Sequence, residues 1–148
     1  MKRIIPIFLL LQILFFATAS AQFRDVPAEV TTSFTKQYPG AEAVTYKDNL
    51  KNFYVAFTLN GEKMLAKYSN KGEWKESEKT TVVDNLPKAV VEGFKKSKYA
   101  DWKVSDATVI TMPRTVETYK VKVEKGDLQK KNLFFNKDGR LTKDGLTL

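Results

Sequence analysis

The sequence predicts an α+β fold: a tandem repeat of one helix followed by a four-stranded antiparallel meander, with the helices packed on one face of the sheet. Two observations carry this prediction. Val26 to Tyr38, VPAEVTTSFTKQY, is echoed by Leu86 to Tyr99, LPKAVVEGFKKSKY; each copy opens on an apolar residue and a proline. Each then sets a valine and a phenylalanine one helical turn apart, at Val30 and Phe34 and again at Val90 and Phe94. Both copies lead into alternating sequence, clearest from Phe53 to Leu59, which runs into Asn60-Gly61, a strong hairpin signal.

Ahead of the first copy, Lys2 and Arg3 precede a run from Ile4 to Ala17 that is apolar except for Gln12 and ends in Ala19-Ser20-Ala21. A charged start, a short apolar run and a small-x-small end read as a secretory signal peptide over residues 1–21, with Gln22 as the new N-terminus. Crossing a bilayer takes about 20 apolar residues, so the run is too short for an anchor. The chain has no cysteine to carry a lipid. Removing the segment takes away Lys2 and Arg3 but no acid, so the formal charge of +8 falls to +6. The expectation is therefore a basic, exported protein in the periplasm or outside the cell. Its accessible polyanions are acidic proteins, anionic polymers and lipid head groups, with no nucleic acid and no stable membrane anchor.

The first unit is expected over 22–84. Pro27 sits where a helix begins and a missing N–H costs nothing. Val26, Val30, Phe34 and Tyr38 recur every four residues and form one apolar stripe, while Pro39-Gly40 stops the helix. Burying Phe34 contributes about 2 kcal/mol by transfer alone. Strands follow at Glu42 to Lys47, at Phe53 to Leu59, after Asn60-Gly61, and at Glu73 to Thr81 beyond a turn at Ser69 to Gly72. A two-residue turn at Asn60-Gly61 pairs Leu59 with Glu62, Phe57 with Met64, Val55 with Ala66 and Phe53 with Tyr68. Tyr54, Ala56 and Thr58 then share the opposite face with Lys63, Leu65 and Lys67.

The second unit is expected over 85–148. Leu86 and Pro87 restart the helix, and a strand from Trp102 to Thr111 is interrupted at Met112-Pro113. Tyr119, Val121 and Val123 answer Phe53, Val55 and Phe57; Leu133 and Phe135 answer Ala66 and Tyr68. Asn136 to Gly139 matches the turn at Ser69 to Gly72, and Arg140 to Leu148 closes the sheet. The pattern assigns neither Trp74 nor Trp102 to a face. It also leaves open whether the units share one sheet.

The marks Val26-Pro27, Val30, Phe34 and Tyr38-Pro39, echoed by Leu86-Pro87, Val90, Phe94 and Tyr99, with Lys71-Gly72 and Asp138-Gly139, resemble those of the PepSY-like family. Its members are described as similar to the beta-lactamase inhibitory protein. The resemblance covers residues 24 to 148 and rests on packing and turn positions. It implies one long curved sheet with the helices on its convex side, and an open concave face that grips a protein, with restraint of secreted peptidases as the activity ascribed to the wider group. The chain lacks the inhibitor's cysteines and matches none of its contact residues, so inhibition of a beta-lactamase is not carried over.

The chain contains no histidine and no cysteine. That removes the common general base, the thiol nucleophile and the usual transition-metal ligands together, and no catalytic residue, metal site or cofactor is expected. Glu73, Glu76 and Glu78 are the one close acidic group; with Lys75 and Lys79 beside them they read as a solvated strand edge. Asn136-Lys137-Asp138-Gly139 lacks the further carboxylates of a calcium loop and reads as a turn ending in a left-handed glycine. The candidate binding residues are on the uncovered sheet face: Tyr54, Lys63, Leu65 and Lys67 from the first unit, Lys120, Lys122 and Phe134 from the second. Aromatics beside flexible cations suit a protein partner, an envelope or secreted protein such as a peptidase. The alternatives are a small molecule or anionic polymer held by the lysines, or a solvated face with scattered aromatics.

Overall fold

The computed structural model describes residues 25–146. The expected signal peptide at 1–21 and the expected N-terminus at Gln22 lie outside the described residues. Helix α1 (Ala28–Gln37) is followed by strands β1 (Glu42–Asn49), β2 (Asn52–Leu59), β3 (Glu62–Ser69) and β4 (Trp74–Thr81). A short 3₁₀ turn, Val83–Asn85, leads to α2 (Lys88–Lys95), then β5 (Lys103–Met112), β6 (Val116–Lys125), β7 (Gln129–Phe135) and β8 (Leu141–Leu146). All eight strands form one antiparallel sheet in sequence order.

This arrangement corrects the expected fold class. The molecule is mostly β, a single eight-stranded sheet with two short helices, and not an α+β tandem of helix-plus-four-strand repeats. The physical reason is the ladder between β4 and β5, which runs from Ser77 opposite Thr111 to Thr81 opposite Ala107. Those hydrogen bonds leave no sheet edge between the halves, so neither half is closed as a unit of its own. The helices are also shorter than the apolar stripe suggests. Val26 precedes α1, and Tyr38 caps it with a non-helical backbone, φ −125° and ψ 66°.

Alternation puts one face of each strand into the core. Val30 and Phe34 of α1 pack on Phe53, Val55, Phe57, Ala66 and Tyr68, and Trp74 joins this cluster. Val90 and Phe94 of α2 pack with Leu86 and Tyr99 on Ala107, Tyr119, Val121, Val123, Leu133 and Phe135, joined by Trp102. The β4–β5 register carries the same face from one cluster to the other, so both helices and both tryptophans lie on one side of the sheet. The expected pairings from Leu59–Glu62 to Phe53–Tyr68 are the observed ones. Their cause is local: Asn60 and Gly61 take φ of 51° and 79°, the left-handed pair that a two-residue hairpin needs.

Two turns clamp the helices. Gly139 ends the Asn136 turn at φ +77°, and a Cβ there would overlap the carbonyl oxygen of Ala89 in α2. Gly72 does the same against the carbonyl of Glu29 in α1. The Asn136 side-chain oxygen accepts the N–H groups of Asp138 and Arg140, so it is committed to holding the turn.

Candidate binding surface

The face opposite the helices is covered by no described element, and strand register decides what stands on it. On its first half Tyr54 is opposite Lys67, Ala56 opposite Leu65 and Thr58 opposite Lys63. On its second half Lys120 is opposite Phe134 and Lys122 opposite Asn132. The register between them runs Leu65–Glu78, Glu78–Ile110, Thr108–Lys120, which puts all seven expected residues on the same face. They are not one cluster. Tyr54, Lys63, Leu65 and Lys67 belong to β2 and β3; Lys120, Lys122 and Phe134 are on β6 and β7, and the nearest strands of the two groups are about 14 Å apart.

Glu76 and Glu78 bridge that gap, and sequence reasoning misplaced them. They stand on β4 at the middle of the sheet and point to the open face, not along a solvated edge. Glu76 Oε1 accepts from Lys67 Nζ at 3.2 Å, and Glu78 Oε2 accepts from Lys120 Nζ at 2.7 Å. An unbroken register from Tyr68–Trp74 would pair Glu76 with Ala66 and turn it to the helix face; the slip between Lys67 and Tyr68 puts it opposite Lys67 instead. The Glu76 hydrogen bond raises the pKa of Lys67, whose ammonium also lies 5.7 Å from the Tyr54 ring centre. Lys143 takes the same position over Phe134, at 5.7 Å. Among the described residues Lys63 and Lys122 have no ion-pair partner, so the lysines of this face divide into committed and uncommitted ones.

The face is also uneven. Thr108 and Ile110, near its middle, are buried, and the Lys120–Glu78 pair lies across that region. At the β1 end is a cleft of about 560 Å³ between Thr45, Lys47, Asp48 and Asn49 of β1 and Tyr54, Ala56 and Leu65. The acidic residues offer little catalytic chemistry: Glu76 and Glu78 are closed onto lysines, and Glu73 sits at a turn with its carboxyl held below the usual range by Lys75. What this surface can do is present half-buried apolar groups between oriented charges.

Solved structures of similar shape come from Bacteroides species. A DUF2874 family protein from Bacteroides ovatus ATCC 8483 is 25% identical, with a TM-score of 0.78 over 83% of this chain and 89% of that one. A BLIP-like protein from Bacteroides fragilis NCTC 9343 is 23% identical, with a TM-score of 0.78 over 85% and 89%. A protein of Bacteroides eggerthii DSM 20697 described as one of the "putative periplasmic proteins" is 22% identical, with a TM-score of 0.77 over 83% and 90%. No curated protein matches the chain. Among the described residues no helix is long and apolar enough to cross a membrane. The family model described as "Putative beta-lactamase-inhibitor-like, PepSY-like" matches residues 51–143, well over half of the chain, and the protein belongs to that PepSY-like family.

Proposed function

We propose that this protein is an exported, non-enzymatic binding module that holds an envelope or secreted protein, such as a peptidase, on the open face of its sheet. The observation that carries the reading is that half-buried Tyr54, Leu65 and Phe134 all stand on the face that α1 and α2 leave bare, in two groups. Apolar groups left partly wet in a folded sheet gain from being covered, and Tyr in particular supplies contact area at small entropic cost. Likeness in fold to a BLIP-like protein and to a neighbour described as periplasmic agrees with binding and with export. A polyanion held by the lysines is the second reading. Lys67 and Lys120 speak against it, because their charge is already met by Glu76 and Glu78.

The test is capture of partners from envelope extract by the folded protein and by Tyr54→Asp/Leu65→Asp, whose fold is checked by circular dichroism. The variant is expected to lose its partner while keeping its spectrum. Retention of every partner both by this variant and by Lys122→Glu/Phe134→Glu would overturn the proposal. A captured ligand released steeply by salt from both forms would favour the polyanion reading.

A further inference from the structure

The cleft of about 560 Å³ at the β1 end falls in the range of ligand clefts, roughly 300–1,000 Å³. Tyr54, Ala56 and Leu65 supply its apolar part. Ala56 is exposed and faces Leu65 across the β2–β3 ladder, so a small residue leaves room directly above a larger one. Charge is arranged around this floor. Lys47 stands opposite Tyr54, and Lys63 is two residues from Leu65 on the same side of the strand. Neither has an ion-pair partner among the described residues. Of the acids on this face, Glu76 and Glu78 are taken by Lys67 and Lys120, and Glu42, opposite Thr58, stands outside the cleft lining. Asp48 borders the cleft too, but it is opposite Phe53, on the alternation that faces the helices.

We infer that this cleft takes one bulky apolar side chain from an acidic segment of the partner protein, with Lys47 and Lys63 meeting carboxylates on either side of that side chain. The inference rests on the open-face reading and narrows it to one end of the face and one partner chemistry. The apolar side chain leaves water for the Tyr54–Leu65 floor. Two uncommitted ammonium groups favour acidic flanks and repel basic ones, which makes the flanks the source of selectivity.

Labelled synthetic peptides test it. Each carries a central Phe, Leu or Ala flanked by Glu-Asp, Ser-Gly or Lys-Arg pairs, and is titrated into the folded protein while backbone amide shifts are recorded. Phe and Leu peptides with acidic flanks are expected to bind, with shifts gathered on Thr45, Tyr54, Ala56 and Leu65. Ala-centred or basic peptides should be weaker by at least about tenfold. Ala56→Arg, which fills the cleft from an exposed position, should abolish binding, and Lys47→Glu/Lys63→Glu should erase the preference for acidic flanks. Binding indifferent to flanks, shifts elsewhere on the molecule, or no binding by any peptide would overturn the inference. A captured protein released by Lys122→Glu/Phe134→Glu but not by the cleft variants would overturn this inference alone. One indifferent to both sets would overturn the open-face reading as well.

Discussion

The two helices are tied to the same sheet face by different chemistry. Beneath α1, Phe34 is ringed by Tyr38, Tyr46, Phe57 and Tyr68, with ring centres 5.0 to 6.4 Å away. A neutral hydrogen-bond network joins these groups to the sheet. Tyr68 donates to Gln37 at 2.9 Å, Gln37 donates to Tyr38 at 3.3 Å, and the Tyr38 hydroxyl meets Ser77, which also accepts from the Trp74 indole at 2.7 Å. Beneath α2 most of the buried residues in the cluster that holds Phe94 are aliphatic, and Tyr99 is held by charge. Tyr99 stacks edge-on with Trp102 at 5.2 Å and donates to Asp144, whose carboxylate also receives Lys98 at 3.4 Å. Buried neutral networks hold through acid, while an ionic anchor near the surface depends on pH and salt. The difference teaches that the tyrosine anchor of α2, unlike that of α1, is one that a change of acidity can loosen.

Three experiments can break or sharpen that contrast, beginning with the largest effect. Phe34→Ala should cost about 3–5 kcal/mol, because four aromatic neighbours lose their central ring; Phe94→Ala should cost less. Denaturant midpoints of the two variants decide it, and equal losses would remove the contrast in packing. Next, Gly139→Ala should cost about 2–4 kcal/mol, from the left-handed backbone penalty and the overlap with Ala89, both read as a lower thermal midpoint.

The third experiment concerns acidity. Hydrogen bonding from Tyr99, with Lys98 beside it, holds the Asp144 carboxyl below its ordinary value near 3.8. Its contribution to stability is therefore present above that value and is lost as pH falls through the lowered one. Asp144→Asn should flatten the acid limb of stability against pH. Asp101, lowered by Lys125, leaves part of the slope in place. At the other extreme, burial raises the pKa of Tyr38 and Tyr68, and Tyr119 is pushed up to about 12 by burial and Glu117. Those groups lose stability as pH rises past the ordinary tyrosine value of 10.0, and Lys98, raised by Tyr99 and Asp144, loses its share as pH rises past its own ordinary value, so the variant's alkaline limb should differ from the parent's only by the part of the Lys98 share that Asp144 supplies.

Much of the local structure was legible in the residues. Asn60-Gly61 set the β2–β3 pairing, and with it the face of Tyr54, Lys63, Leu65 and Lys67, because a two-residue turn and a period of two leave one register that buries Phe53, Val55 and Phe57. The faces of Trp74 and Trp102 were not legible. Each follows a turn or bulge, where alternation restarts: β3 and β4 slip register between Lys67 and Tyr68, and Trp102 precedes β5. Glu76 and Glu78 were misread for a longer-range reason. Nothing near them in the chain says that β4 has a neighbour on its far side.

By itself, then, the sequence determined helix starts at two prolines, strand faces, the glycine turns and a chain without histidine or cysteine chemistry. These are local, set by backbone sterics and by alternation over a few residues. Only the tertiary structure decided that the sheet is continuous, that Glu76 and Glu78 sit at its centre holding Lys67 and Lys120, and that Lys63 and Lys122 remain unpaired among the described residues. Those outcomes depend on β4 meeting β5 across the intervening α2 segment. Contacts closed over such a separation are selected by the packing of the whole core and leave no local signature.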